Sequence, residues 1–154
     1  MTLAQRIAEF PASTPDWEIA AALNAPDPNL PMKIVSKRIG AGTIIEAMGL
    51  GASGGGVFIS KLRGWAANPE TIPAQLTSVA KDIAEILPVI DRGDLEIGSA
   101  PVRSMIDTLA ALGHMTAAQA TTLKALANGG HQSWAEANNV YVDARVVGLA
   151  RGGL

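Results

Sequence analysis

A small, mainly α-helical bundle forming a single domain is what this chain predicts, and three observations carry that expectation. Hydrophobic residues fill 48% of the 154 positions but aromatics only 4%, so the core has to be packed from Ala, Leu, Ile and Val. Apolar residues recur at helical spacing, most clearly at Ile72, Leu76, Val79, Ala80, Ile83, Ile86, Leu87 and Ile90. Capping pairs and stop glycines then punctuate the chain at intervals that suit short helices. The expected architecture is one domain over residues 1–154, with short helices, glycine-rich joints and at most a short extended arm or strand at 26–42.

The elements follow in order. Thr2 and Gln5 form a capping-box pattern, with Leu3, Ile7 and Phe10 at helical spacing, so a first helix ends before Pro11. In "STPDWEIAAALN", Thr14 caps, Pro15 takes the first helical position and Asp16 and Glu18 suit the positive end of the dipole, with Trp17, Ala20 and Leu23 on one face. "APDPNLP" breaks regularity, and the β-branched content of "MKIVSKRI" allows a strand or an extended arm. "TIIEAMG" reads as one or two helical turns stopped by Gly49, and "VFISKLRGWAA" as a buried helix presenting Val57, Phe58, Leu62 and Trp65.

The long periodic stretch from Thr71 makes one helix, which Pro88 ends or kinks, with Lys81, Asp82 and Glu85 outside. "DRGDLEIGSAP" is a connector with a short extended piece around Leu95 and Ile97. Ser99 then caps a helix whose Val102, Met105, Ile106 and Leu109 share a face. Gly113 stops that helix, and Thr116 with Gln119 starts another, so the two fold back as a hairpin. One turn from Ser133, a loop through Asn138 and Asn139, and a last helix near Asp143 complete the chain.

Charge and composition exclude several function classes. A net charge of -2 lacks the basic excess that neutralises phosphates, so nucleic acid is not an expected partner. Zero cysteines remove thiolate nucleophiles and Cys-ligated zinc. The N-terminus meets acid and proline before any apolar run of signal length, and no stretch approaches the roughly 18 apolar residues of a membrane span. A soluble protein, not exported by a cleaved signal, is expected.

"GLGASG", residues 49–54, has the spacing of a dinucleotide fingerprint, which requires a strand before the glycines and a second parallel strand ending near an acid. Glu70 lies at the right distance, but "PETIPAQL" is a helix start and no Val/Ile-rich strand follows. Gly54 to Gly56 therefore read better as a joint or a point of close backbone approach. His114 and His131 lack the paired spacing of metal ligands; His114 suits the last carbonyls of the preceding helix, and His131 a loop. Asp82 with Glu85 and Asp91 with Asp94 read as a solvated face and a turn, and no Gly-x-Ser-x-Gly elbow anchors a hydrolase triad. No catalytic, cofactor or metal residue is assigned.

Partner contacts are the remaining expectation. Lys33, Lys37 and Arg38 form the one basic cluster, and Trp134 and Tyr141 combine large contact area with a polar handle. A solvated edge competes with an acidic partner surface for the basic cluster, and burial in the protein's own core competes with an interface role for the two aromatics. The ending "ARVVGLARGGL" has little charge and suits docking.

"APVRSMIDTLAALGHMTAAQATTLKALA" followed by "SWAEANNVYVDARVVGLARGG", with "SKRIGAGTIIEAMG" before them, resembles small uncharacterised proteins encoded among the virion-structure genes of tailed bacteriophages. The resemblance covers residues 15–152 and carries no catalytic motif. It implies a non-enzymatic head decoration, connector or tail accessory subunit, located in the virion or in the host cytoplasm during assembly. Its partners would be other virion or assembly proteins and further copies of itself. Two alternatives stay open: a small nucleotide- or anion-binding protein using Gly49–Gly56, and a regulatory nucleic-acid binder using the hairpin at Gly113–Thr116.

Overall fold

The structure, a computed structural model, describes residues 1–152, without the side chains of Ser78 and Val79. It is mainly helical. Contacts group the chain into two compact units: Ile34–Asn128 forms one, and Met1–Lys33 with the chain from Gly129 onward forms the other.

The discontinuous unit contains α1 (Leu3–Ile7), α2 (Asp16–Asn24), α8 (Trp134–Ala137) and α9 (Ala144–Gly152). Thr2 and Gln5 form the predicted reciprocal cap of α1. Ser133 and Glu136 do the same for α8, which satisfies N–H groups the first turn leaves without partners. Ile7, Ile19, Leu23, Ala135, Val142 and Val147 make this unit's core. α2 packs on α9, and α1 packs on α9. Strand β1 (Met32–Ile34) pairs with a strand at Asn128–His131, labelled β4 below.

The central unit opens with β2 (Arg38–Ile39), α3 (Ala41–Met48) and α4 (Gly55–Ala67). Two 3₁₀ stretches, Pro69–Thr71 and Ala74–Val79, lead into α5 (Ala80–Asp91). β3 (Leu95–Glu96), α6 (Ala100–Ala111) and α7 (Ala117–Ala125) follow. α4 packs on α3 and α5, while α7 packs on α3 and α6. β2 and β3 are antiparallel, with Arg38 opposite Glu96 and Ile39 opposite Leu95.

Several expectations are corrected. The single helix from Thr71 is instead a 3₁₀ stretch followed by α5, and Pro88 sits inside α5 rather than ending it. Proline removes one N–H from the ladder; burial of Ile83, Leu87 and Ile90 keeps the helix running to Asp91. The Val79 side chain, predicted as core, and Gly153 and Leu154, the last two residues of the expected docking ending 144–154, lie outside the described residues. Trp17 and Val57 are exposed, not buried. Ile19 and Leu23 define the buried line of α2, and Phe58, Ile59, Leu62 and Trp65 that of α4; the two outliers fall off those lines. Pro15, not Thr14, holds the cap position of α2. Ser99 stands at the start of α6 but makes no side-chain cap. His131 lies in β4, not a loop, with Nδ1 2.8 Å from the Leu30 carbonyl oxygen.

The glycine stretch connects α3 to α4, so a helix precedes it where the dinucleotide fingerprint needs a strand. Gly49 and Gly51 adopt φ of 80° and 103°, the left-handed region that glycine enters without steric cost. A Cβ on Gly55 would come within 2.9 Å of the Ile44 carbonyl oxygen and closer still to the Ile45 backbone. The expected close backbone approach is therefore made here, between α4 and α3.

Candidate functional site

The face of the discontinuous unit formed by α2 and α9 is the first candidate. The helices run antiparallel: Arg151 Nη1 donates to Asp16 Oδ1 at 2.7 Å at one end, and Asn24 Nδ2 donates to the Val142 carbonyl at 2.8 Å at the other. Gly148 lets them come close, since a Cβ there would meet Asp16 Oδ2 at 2.9 Å. Beneath the pair, Ile19, Leu23 and Val147 are buried. Three large apolar side chains of the same segment stay in solvent: Trp17 at 66% exposure, Leu149 at 68% and Tyr141 at 77%. A core with this much aliphatic material leaves an exposed Trp without a local packing reason.

The predicted contact residues separate. Lys33 Nζ donates to Glu136 Oε1 at 2.6 Å, beside Trp134. That bond, together with the main-chain N–H of Ser133, holds the Glu136 carboxyl below its ordinary value of 4.5. Trp134 is half-buried and packs on its own unit's core. Tyr141 is free in solvent. Lys37 and Arg38 belong to the central unit. Arg38 lies 3.6 Å from Asp94, and the main-chain N–H of Lys37 donates to Glu96 at 2.7 Å. The structure therefore joins Lys33 with the Trp134 helix but divides the basic cluster, and ion pairs engage two of its three members.

The central unit has a concave pocket of about 440 Å³ beside the start of α4 and the α6–α7 turn. Ser53, Gly54, Lys61, His114 and Thr116 contribute to its lining. Gly54 supplies no capping side chain, and the first N–H of α4, that of Gly55, donates to the Gly49 carbonyl at 2.9 Å. Lys61 makes no ion pair among the described residues. His114 stacks edge-on against Trp65, with ring centroids 5.0 Å apart. Burial, and then the Lys61 charge, push its pKa below 6.5. Its main-chain N–H, rather than its imidazole, donates to the Leu109 carbonyl and closes α6. The arrangement offers positive potential to a small anion. Gln119 reaches across to accept from the Thr116 N–H and to donate to the Met48 and Ser53 carbonyls, tying the α7 start to the glycine stretch.

Among the described residues, no group of three or more His, Cys, Asp or Glu side chains could hold a metal ion, and no helix is long and apolar enough to cross a membrane. Sequence reasoning missed Trp17 as a surface group and missed the meeting of Lys61 with His114, whereas Leu149 lies in the ending expected to suit docking. The signal for Trp17 was present: Ile19 and Leu23, four apart, compete with it for the inward side of α2, and only one line can face inward. Lys61 and His114 are 53 positions apart, and nothing local links them. Comparison with known proteins finds no matching family model, no matching curated relative and no matching solved structure.

Proposed function

We propose that this chain is a non-enzymatic structural or assembly protein acting through protein–protein contacts, in the class of tailed-phage virion components that its sequence resembles. The observation that carries the reading is the exposure of Trp17, Tyr141 and Leu149 on a unit that has its own buried apolar core. Moving a large apolar side chain from water into an interface contributes about 1.5–3 kcal/mol when burial is complete, and aromatic residues of this kind anchor interfaces. The test is mass spectrometry of gradient-purified particles assembled with the tagged chain. Incorporation that Trp17→Ala combined with Leu149→Asp abolishes, in a variant that circular dichroism finds folded, is the expected result. A particle free of the wild-type chain overturns the reading.

A second reading, binding of a small anion, is favoured by the Lys61–His114 pocket at the start of α4. Inorganic phosphate at 100 times its Kd would stabilise the chain by about 2.7 kcal/mol. A phosphate titration followed by thermal melting, with Lys61→Ala as the control, reads this directly; identical melting curves with and without phosphate sink it.

A further inference from the structure

The outer face of the α2–α9 pair carries exposed apolar side chains and unpaired charges. Ile19 and Leu23 on α2, and Val147 on α9, point to the core. Helical spacing puts Trp17 and Ala21 together on the opposite side of α2, and Arg145 and Leu149 together on the opposite side of α9. All four are exposed. Ala21 on this surface is small, which leaves room for a neighbouring helix beside the Trp17 ring.

Two charges border the apolar pair. Glu18 lies exposed on α2 and Arg145 exposed on α9, and neither side chain has an ion-pair partner among the described residues. One acid and one base on adjacent antiparallel helices satisfy what a two-fold axis demands: residue i meets j, and j meets i. We propose that this face binds a second copy of the same chain about a two-fold axis. Trp17 and Leu149 form the apolar centre, and Glu18 of each copy faces Arg145 of the other. An unrelated partner would require complementarity to its own surface; here an unpaired acid and an unpaired base are carried by the same helix pair. The inference rests on the contact reading above and assigns that contact its first partner.

Sedimentation equilibrium of the full chain over a hundredfold concentration range tests it, with circular dichroism confirming that each exposed-site variant is folded. The wild type is expected to dimerise. Glu18→Arg and Arg145→Glu, each alone, place like charges opposite one another at both rim positions and weaken association on the order of tenfold at low salt. An equimolar mixture of the two variants restores it, because every rim pair again has opposite signs. Trp17→Ala removes the centre and leaves monomer. A monomeric wild type, single charge reversals that dimerise as well as wild type, or a mixture no tighter than its components would each overturn the two-fold pairing. A monomer that still enters particles through Trp17 would overturn this pairing alone. A dimer that never enters particles would overturn the virion role alone.

Discussion

Glu96 carries more local structure than its exposure suggests. Its carboxylate accepts from Ser36 Oγ at 2.6 Å, from the Lys37 N–H at 2.7 Å and from the Gly98 N–H at 3.2 Å. The Ser36 bond is the largest influence holding its pKa below 4.5, ahead of the Lys37 N–H. A carboxyl whose folded pKa is depressed binds fewer protons in the folded state, so it contributes stability above the unfolded value and loses it as pH falls through the folded value. Glu96→Gln should therefore lower the thermal midpoint at pH 7, and the gap from wild type should close as pH drops below 4.5. Melting curves from pH 7 to pH 3 check this, and a gap independent of pH contradicts it. The "SK…LEIG" residues are legible in the sequence as extended pieces, but their bond is not, because Ser36 and Glu96 are 60 positions apart.

At the scale of an element, α4 shows two glycines in one helix doing opposite things. Gly55 begins the helix where its backbone nearly touches Ile44 and Ile45, whereas Gly64 is exposed and a Cβ there would meet nothing within 4 Å. Gly64→Ala should stabilise by about 0.5–1 kcal/mol, because glycine in a helix interior loses more backbone entropy on folding. Gly55→Ala should destabilise by about 1–3 kcal/mol, because the methyl has to push two helices apart. Urea unfolding separates the two signs; a stabilising Gly55→Ala would show that the α3–α4 approach is not tight. The capping boxes at Thr2, Thr116 and Ser133 are local in origin. The first two were readable three residues at a time, and Ser133 was at least readable as a helix start. Of the two outcomes expected at Pro88, an end or a kink, the end is ruled out for the converse reason: a local rule against proline gave way to the apolar line that α5 buries.

For the molecule as a whole, the central unit's core is apolar, with Met48 and Met115 among its aliphatic and aromatic side chains, around a cavity of about 40 Å³. Ile83 lines that cavity and is itself fully buried. Ile83→Ala enlarges a space the surroundings have already failed to fill, so its cost should lie within the roughly 2–5 kcal/mol range of such truncations and toward the upper end. Glu85→Ala, two positions away and exposed, should stay within about 0.5 kcal/mol. Equilibrium unfolding followed by circular dichroism compares them, and equal effects would contradict the placement of α5. The sequence by itself determined the helical class, the position of most helix starts and stops, and the aliphatic nature of the core, because caps, glycines and 3.6-residue spacing act over a few residues. Only the tertiary structure decided that the two ends of the chain join in one unit, that Lys33 parts from Lys37 and Arg38, and that Trp17 and Leu149 face solvent. Those outcomes depend on which of several similar apolar lines wins a place inside, and that competition is settled between segments more than a hundred residues apart.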